Sequence, residues 1–290
     1  MRRQFKQTIM DLAAADQRIV LVFGDVSVYL FREFKDKYPD RFYNMGICEN
    51  TLISVAAGLS SQGLIPFVHT ITPFITERSF EQIKLDMCYN QFGGNIVSCG
   101  ASFDYAWDGA THHCYTDLAV LRLLPDIEVT QPGSKRELDA LVRDQYDNGK
   151  ATYFRLSDHP HDVDIPVAEF GRGVVLMDAG SDVTVMTAGP ILGNVAEACK
   201  ELDVNLVYFH TIKPIDRKLI SSFRKTRIFV IHDAFGLFEA VCEVPNITAS
   251  YYGLGDTFYD CYGTLVQTRK KVGLDVESIR EFVSRQMKKS

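Results

Sequence analysis

The sequence lacks features that mark whole classes of protein. It has no run of about 18 apolar residues, which a membrane-spanning helix needs. The apolar part of residues 1–23 is too short for a signal peptide. The 31 lysines and arginines form no cluster, and 37 acidic residues bring the net charge to −6. We therefore expect neither nucleic acid nor a membrane as a partner.

Short functional motifs are missing as well. The seven cysteines are scattered without a C-x-x-C pair, so neither a disulfide framework nor a zinc site is indicated. This fits a reducing compartment, and we expect a cytoplasmic protein. The sequence contains no dinucleotide-binding glycine fingerprint, no P-loop and no G-x-S-x-G elbow.

What is present is a regular alternation of strand-like and helical segments over 290 residues, a length sufficient for two domains. The alternation predicts an α/β fold with two domains, each a mostly parallel sheet flanked by helices. A Pro-, Asp- and His-rich stretch interrupts the pattern near residue 160. We predict domains over 1–158 and 171–290, joined by a linker over 159–170. Strand-like runs include 18–25 and 64–70, and helical runs include 51–63 and 79–91.

Polar residues follow several predicted strands. Asp25, Glu49, Thr70 and Asp108 lie at or just after strand ends. In a parallel sheet the carboxyl ends share one edge, where ligands bind. These residues are therefore candidates for one site.

Glu49 stands out because it interrupts an apolar stretch, in "FYNMGICENT". One interpretation is helix capping, since the N-terminal end of a helix favours an anion. The other is a buried carboxyl with a chemical role, because Gly46 permits close backbone approach and burying a carboxyl is costly unless it is paired or protonated. The residues alone leave both open.

Two further stretches carry candidates. In "WDGATHHCYTD", Asp108, His112 and His113 share a Gly-containing loop. Two adjacent histidines cannot point the same way from an extended chain, so they do not form a metal site by themselves. In "HTITPFITERSFEQIK", Phe74 is typical of a core aromatic and Arg78 of a surface charge, although both could line a site.

Ordered motifs give the chain a resemblance to a known family. "RFYNMGICEN", "SFEQIK", "DGATHHCYTDLAVLRLLPDIEV" and "TAGPILGNVAEACKEL" with "HTIKPID" are similar, in this order, to motifs in the C-terminal half of transketolases and 1-deoxyxylulose-5-phosphate synthases. Those enzymes use thiamine diphosphate. The resemblance implies a pyrimidine-binding domain over 1–158 and a transketolase C-terminal-like domain over 171–290.

The resemblance also implies roles for individual residues. Glu49 matches the glutamate that hydrogen-bonds the pyrimidine ring of the cofactor and activates it. Asp108 and His112 match residues that contact substrate oxygens and assist proton transfer. The other implied contacts are Phe74, Ile71 and Asp25 with the cofactor, and His113 and Arg78 with the substrate.

The sequence departs from the family in a way that implies a partner. The G-D-G motif followed by Asn, which holds the diphosphate and Mg²⁺, is absent; Gly24-Asp25-Val26 does not replace it. We therefore expect a large partner subunit that holds the diphosphate and Mg²⁺, in an α2β2 heterotetramer. No metal ligand is expected from this chain.

A second departure concerns the substrate. Gly100 and Asp158 stand where transketolases have a histidine and an arginine that hold a sugar phosphate. Losing two cations predicts an unphosphorylated or modified sugar. Arg155 or the partner subunit is a candidate source of a substitute cation.

These expectations describe the small subunit of a transketolase-type transferase that moves a two-carbon ketol unit between sugars. One alternative is a thiamine-diphosphate-dependent decarboxylase or carboligase of a 2-oxo acid, like deoxyxylulose phosphate synthases or dehydrogenase β subunits. Release of CO₂ from pyruvate would favour it. The other alternative is a non-catalytic assembly subunit, although such a subunit would be expected to lose Glu49.

Overall fold

A computed structural model describes residues 1–166, 168–260 and 262–288. Cys261, a linker residue at 167 and the last two residues of the predicted second domain lie outside the described residues. Twelve strands occur in the described part: β1 Ile19–Phe23, β2 Phe42–Asn44, β3 Ile65–Ile71, β4 Gly94–Cys99, β5 Ile127–Thr130, β6 Ala151–Arg155, β7 Gly173–Met177, β8 Val183–Ala188, β9 Asn205–Phe209, β10 Thr211–Lys213, β11 Arg227–His232 and β12 Ala249–Gly253.

The α-helices of the described part are α1 Arg2–Ala15, α2 Arg32–Lys37, α3 Glu49–Ser61, α4 Thr72–Thr76, α5 Phe80–Gln82, α6 Asp117–Arg122, α7 Lys135–Gln145, α8 Leu192–Cys199, α9 Arg217–Ser222, α10 Leu237–Cys242, α11 Leu265–Lys271 and α12 Val276–Met287. Short 3₁₀ segments cover Pro39–Arg41, Ala106–Thr111 and Gly189–Ile191, and α5 continues as a π-helix over Ile83–Tyr89.

The strands form two sheets. The first has the order β10-β5-β6-β4-β3-β1-β2 and the second the order β12-β11-β8-β9-β7. Neighbours pair in parallel except at the edges, where β10 runs antiparallel to β5 and β7 antiparallel to β9. The predicted fold class, two mostly parallel sheets flanked by helices, is confirmed.

Local sequence signals explain why these elements form. The strands β1, β4 and β6 are buried along their whole length, as expected when helices cover both faces of a sheet. Ser134 caps α7, because its side chain accepts a hydrogen bond from the Glu137 N–H at 3.3 Å. The strands that sequence reasoning missed are the edge strands β7, β10 and β12, which are short or half-exposed.

The two halves of the chain pack against each other. One strand from the second half of the chain, β10, completes the edge of the first sheet beside β5. A single apolar cluster contains residues from both halves, including Leu118, Val129, Phe209 and Leu237. The C-terminal half therefore supports the first sheet directly.

A buried polar cluster links the halves at a second point. The Glu137 carboxylate of α7 accepts hydrogen bonds from Tyr208 Oη at 2.6 Å and from the Gly133 N–H at 2.9 Å, and lies 3.1 Å from His161 Nε2. Burial by itself would raise the pKa of Glu137, but the bonds from His161, Tyr208 and Gly133 outweigh it and hold that pKa below its usual value. The charged carboxylate therefore stabilises the folded state.

We expect Glu137→Gln to lower the free energy of unfolding at pH 7 by about 1–3 kcal/mol, because buried partners lose a charged acceptor. A carboxyl whose folded pKa is depressed contributes stability above its unfolded pKa, about 4.5, and loses it as the pH falls through the folded value. The gap between variant and wild type should therefore narrow below about pH 4.5. Urea unfolding from pH 7 to pH 3 measures this.

Arg136→Gln is the control for Glu137→Gln. It changes the neighbouring, exposed side chain, whose ion pair with Asp164 is 3.5 Å long and open to solvent. Its effect should stay within about 0.5 kcal/mol at every pH. A gap between Glu137→Gln and wild type that does not change with pH would contradict the account.

Candidate active site

Four neighbouring strands of the first sheet, in the order β4-β3-β1-β2, end at one edge. Asp25 follows β1, Glu49 follows β2, Phe74 follows β3, and the loop with Asp108 follows β4. The fold thus brings the predicted candidates to one edge of the sheet, as expected for parallel strands.

The position of Glu49 results from a tight connection. The Met45 N–H donates to the Phe23 oxygen at 2.9 Å, and Gly46 then turns the chain with φ +74°. Cys48 is the N-cap of α3, so Glu49 is the first helical residue and is only 1% exposed. The requirement for positive φ explains the glycine.

Glu49 does not cap the helix through a side-chain hydrogen bond. Its Oε2 instead accepts a bond from Arg78 Nη1 at 2.7 Å, and Cys48 at the N-cap makes no side-chain cap. The Arg78 side chain is 46% exposed whereas that of Glu49 is 2% exposed, so the cation reaches inward from solvent. The arginine provides the charge partner that a buried carboxylate needs.

Aromatic contacts continue from this ion pair. The Arg78 guanidinium lies over the Phe74 ring, 4.5 Å from its centroid. The Phe74 ring meets the His112 ring edge-on, with centroids 5.2 Å apart. Four candidates, Glu49, Arg78, Phe74 and His112, therefore form one continuous row, which we call the site row.

The loop after β4 places the remaining polar candidates differently. Asp108 is exposed, at a 3₁₀ turn in which Gly109 has φ +72°. His112 is half-buried, and its Nδ1 lies 2.9 Å from Thr111 Oγ1. His113 points elsewhere: it is 6% exposed and packs edge-on against Phe103 at 4.9 Å. Of the two histidines, only His112 belongs to the site row.

Asp25 and Ile71 flank the row. Asp25 is exposed and exchanges hydrogen bonds with Asn44: its N–H donates to Oδ1 at 2.9 Å, and its carboxylate accepts from Nδ2 at 2.8 Å. Ile71 is the last residue of β3 and is half-buried. The structure places both at the same sheet edge.

Arg155, one of the two candidate sources of a substitute cation, is buried and paired inside the protein. It is 1% exposed, and its Nε donates to Asp117 Oδ2 at 2.7 Å while Nη2 donates to the Cys114 oxygen at 2.8 Å. Tyr153 donates to the same Asp117 oxygen at 2.6 Å. The Arg155 guanidinium is paired inside the protein, and these bonds hold the loop after β4 in place.

The space at Gly100 is filled by an aromatic ring. Gly100 has φ +80°, and a Cβ built there would lie 2.3 Å from Tyr105 Cε2. The Tyr105 ring also packs against His112, with centroids 6.2 Å apart, and against Trp107 at 5.7 Å. A tyrosine thus occupies the place next to the glycine and reaches the site row.

Asp104, in the same loop, was not recognised from the sequence. It is buried, and its carboxyl accepts bonds from the Ala101 and Asp158 N–H groups at 3.1 and 2.8 Å and from Ser157 Oγ at 2.8 Å. Burial raises the pKa of Asp104 to about 7, against the lowering effect of these bonds. Asp158 lies 54 residues from Asp104 in the sequence, whereas Ala101 lies in the same loop. No short sequence motif therefore marks this group of residues.

His69 was missed for the same reason. It is fully buried, its Nδ1 donates to the Val97 oxygen at 2.7 Å, and its Nε2 accepts from Ser27 Oγ at 3.0 Å. Burial lowers the pKa of His69 to about 4, so the ring is neutral at physiological pH. The imidazole ties the loop after β1 to the sheet beneath Asp25.

Two kinds of feature are absent from the described ranges. There, no three histidine, cysteine, aspartate or glutamate side chains come together in a way that could hold a metal ion. Within the same ranges, none of the helices combines the length and the apolar character needed to cross a bilayer.

Comparison with known proteins gives consistent matches. A family model described as the transketolase pyrimidine-binding domain matches residues 1–159. An apulose-4-phosphate transketolase subunit from Phocaeicola vulgatus is 30% identical over 96% of this chain and 94% of that protein. A 6-deoxy-6-sulfo-D-fructose transketolase subunit from Clostridium sp. (strain MSTE9) is 27% identical over 96% and 92%.

A solved structure agrees with these sequence matches. A split-gene transketolase, described as an inactive β4 tetramer, superimposes with a TM-score of 0.87 at 30% identity, covering 99% of this chain and 97% of that chain. The similarity extends over both sheets, since nearly all of each chain is included.

We expect Asp104→Asn to change the pH dependence of stability. A carboxyl whose folded pKa is about 7 keeps its proton when the unfolded chain has lost it, so wild-type stability should fall as the pH rises from about 4 to about 7. The asparagine oxygen can accept the same N–H bonds but does not titrate. The variant should therefore match wild type near pH 4 and exceed it by on the order of 2–4 kcal/mol at pH 8.

Urea unfolding at pH 4, 6 and 8 measures this difference. Asp108→Asn is the matched control, because the same chemical change is made on an exposed side chain of the same loop. The free energy of unfolding of Asp108→Asn should depend on pH in the same way as that of wild type. If the free energy of unfolding of Asp104→Asn depended on pH in the same way as that of wild type, the raised pKa of Asp104 would be contradicted.

We expect Gly100→Ala to lower the free energy of unfolding by about 1–3 kcal/mol, because the new methyl group meets Tyr105 and the backbone has positive φ. In a Tyr105→Ala background, the part of this cost that comes from contact with the ring should disappear. The backbone conformation should then account for a remaining cost of about 1 kcal/mol. A double-mutant cycle measured by urea unfolding isolates this coupling. Equal costs in the two backgrounds would show that the ring does not fill this space.

Proposed function

Because the chain belongs to the transketolase family through its pyrimidine-binding domain, we propose that it is the small subunit of a transketolase-type transferase. In this proposal the assembled enzyme uses thiamine diphosphate to move a two-carbon ketol unit between sugars. The observation that carries the proposal is the site row: a buried carboxylate, a cation, an aromatic ring and an imidazole in continuous contact at the ligand-binding edge of a parallel sheet.

The residues at this edge fit the pyrimidine ring of the cofactor. Glu49 offers a buried carboxyl for a ring nitrogen, while the Phe74 ring and the Ile71 side chain offer half-buried apolar surface for a flat heterocycle. Asp25 lies at the neighbouring strand end. When bound, thiamine diphosphate supplies the nucleophilic carbon and the electron sink for cleavage of a C–C bond.

Glu49 has the central role in proton movement. A carboxyl in an apolar pocket is able to donate its proton to a ring nitrogen without competition from water. In the structure its Oε2 accepts a hydrogen bond from Arg78 Nη1. The proton transfer therefore requires Glu49 to exchange its arginine partner for the ring nitrogen, and the exposed position of Arg78 permits that movement.

His112 and Asp108 act on the substrate side. The contact between His112 Nδ1 and Thr111 Oγ1 orients the imidazole and leaves Nε2 to exchange protons with substrate oxygens. Asp108 presents an exposed carboxylate that can accept hydrogen bonds from sugar hydroxyl groups. Arg78 and His113 stay secondary candidates, since one pairs with Glu49 and the other is buried.

A separate large subunit completes the enzyme in this proposal. Mg²⁺ and the diphosphate would be held mainly by that subunit, since the described residues of this chain offer no cluster of metal-binding side chains. Two relatives are named as transketolase subunits, and the solved relative is a split-gene protein, which supports a separate partner subunit; we propose that the two chains assemble as α2β2. We place the enzyme in the cytoplasm, since the described cysteines are free thiols.

The substrates would be unphosphorylated or modified sugars. One relative is named for 6-deoxy-6-sulfo-D-fructose, a modified sugar, whereas another is named for apulose 4-phosphate, which carries a phosphate. In this chain the ring of Tyr105 fills the space at Gly100, so a larger side chain has no room there. These observations favour a sugar whose distal end is recognised differently from that of ordinary ketose phosphates.

We expect Glu49→Gln to lower kcat at least about 100-fold in the assembled two-subunit enzyme, because the amide cannot transfer a proton to the pyrimidine ring. Ketol transfer from a ketose donor to an aldehyde acceptor, with saturating thiamine diphosphate and Mg²⁺, measures it. Full activity in Glu49→Gln would defeat the catalytic assignment.

Glu81→Gln is the matched control, because it makes the same change on an exposed side chain of α5. It should retain wild-type activity. A parallel assay with pyruvate tests the other chemistry: CO₂ release without ketol transfer would replace the proposed reaction by decarboxylation.

A further inference from the structure

The connection between β12 and α11, in the C-terminal half, reaches the loop after β4. Its described residues are 254–260 and 262–264. A methyl group built on Gly109 would lie 2.5 Å from Tyr262 Cε1, 2.8 Å from its Cζ and 3.0 Å from its Oη. The edge of the Tyr262 ring therefore occupies the place that a side chain at position 109 would need.

Gly109 is the turning point of the loop after β4. It has φ +72° and ψ −160° within a 3₁₀ segment, a conformation that is essentially restricted to glycine. Its oxygen accepts hydrogen bonds from the His112 N–H at 3.0 Å and the His113 N–H at 3.1 Å. Asp108 directly precedes it in the chain. The Gly109 backbone therefore sets the directions in which Asp108 and His112 leave the turn.

The same connection also packs on the base of the loop. Ser102 and Cys114 close this base as an antiparallel bridge, in which the Ser102 N–H donates to the Cys114 oxygen at 2.8 Å. The Tyr259 ring packs edge-on against Phe103, with centroids 5.6 Å apart, and against Tyr115 at 5.7 Å. These two aromatic residues directly follow the two bridge residues. The connection therefore contacts the loop at its base as well as at its turn.

Hydrogen bonds on both sides of Tyr262 fix the connection. Thr264 is the N-cap of α11: its Oγ1 accepts a bond from the Gln267 N–H at 3.3 Å, and its N–H donates to Gln267 Oε1 at 2.9 Å. On the other side, the Tyr259 hydroxyl accepts a bond from the Gly255 N–H at 2.6 Å. The backbone that carries the Tyr262 ring is therefore held within the C-terminal half, although the residue is 73% exposed.

We propose that Tyr262 is a positioning residue for the proposed transferase. Its ring holds the turn at Gly109 in the conformation that presents Asp108 and His112 to the substrate. It acts through the backbone of the loop rather than on the reacting atoms. This role rests on the proposed function, and it gives the C-terminal half a part in aligning the site.

A ring that only rests on the surface of the loop is the competing account. Removing a largely exposed side chain usually has little effect on the rest of a protein. In that case the turn would keep its conformation in Tyr262→Ala, and both the hydrogen exchange of the turn and catalysis would be unchanged.

Amide hydrogen exchange in the full chain distinguishes the two accounts. The His112 and His113 N–H groups are bonded to the Gly109 oxygen, so their exchange reports on the turn itself. We expect this exchange to be about tenfold faster in Tyr262→Ala, and unchanged in Tyr262→Phe because the ring remains. Tyr89→Ala is the matched control, since it removes an 81% exposed tyrosine at the end of the π-helix. It should exchange like wild type.

Kinetics of the assembled two-subunit enzyme measure the functional consequence. Tyr262→Ala should lower kcat/KM for ketol transfer about tenfold, because small displacements of catalytic groups have large effects on rate. The affinity for thiamine diphosphate should be unchanged, since Glu49 follows β2 rather than β4. Tyr262→Phe and Tyr89→Ala should behave like wild type. A general structural role would instead lower the cofactor affinity together with kcat/KM.

Three results would overturn the proposal. They are unchanged exchange in folded Tyr262→Ala, faster exchange with unchanged kcat/KM, and a loss of cofactor affinity as large as the loss of kcat/KM. If Tyr262→Ala does not fold, Tyr262→Leu keeps apolar bulk without the ring and is expected to give the same changes. Absence of ketol transfer in wild type would reject the proposed function, while the exchange measurement still decides whether Tyr262 holds the turn.

Discussion

The ion pair between Glu49 and Arg78 is the interaction on which the candidate site depends. Burying a carboxylate at the start of α3 is unfavourable unless a partner compensates the charge, and Arg78 provides that partner from the turn between α4 and α5. The same guanidinium covers the Phe74 ring, and that ring orients His112. One buried charge therefore organises residues that follow three different strands.

The loop after β4 shows how the rest of the fold serves this edge. Its lower part is held by Arg155, which is fully buried and paired with Asp117, and by Asp104, whose pKa burial raises to about 7. Removing either partner would leave a buried polar group unsatisfied, which costs more than an exposed contact. A rigid base thus presents Asp108 and His112 at the surface, as a pre-organised site requires.

The C-terminal half contributes support rather than candidate site residues. Its strand β10 closes one edge of the first sheet, and Tyr208 binds the Glu137 carboxylate. A continuous apolar cluster between the halves makes their separation costly. The site edge therefore belongs to one packed unit, although the candidate residues come from the first half of the chain.

Local sequence patterns are sufficient to predict the alternation of strands and helices, the two-sheet α/β fold, and the candidates that follow strand ends. These depend on local periodicity and on motifs of adjacent residues, which a single chain displays directly. The alternatives for Glu49, capping or a buried functional carboxyl, stayed open because its partner is 29 residues away. In the folded chain the Glu49 carboxylate is buried and pairs with Arg78, and Cys48 at the N-cap makes no side-chain cap.

Burial in the folded chain also determines whether a candidate cation is available to a ligand. Arg155 is a candidate anion ligand in the sequence, but in the folded chain it is buried and its guanidinium pairs with Asp117. Edge strands such as β10 could not be predicted from the sequence for a related reason. A three-residue strand has too little hydrophobic pattern of its own, and it forms because β5 lies beside it. Pairing between distant residues is a property of the folded chain, and no local pattern encodes it.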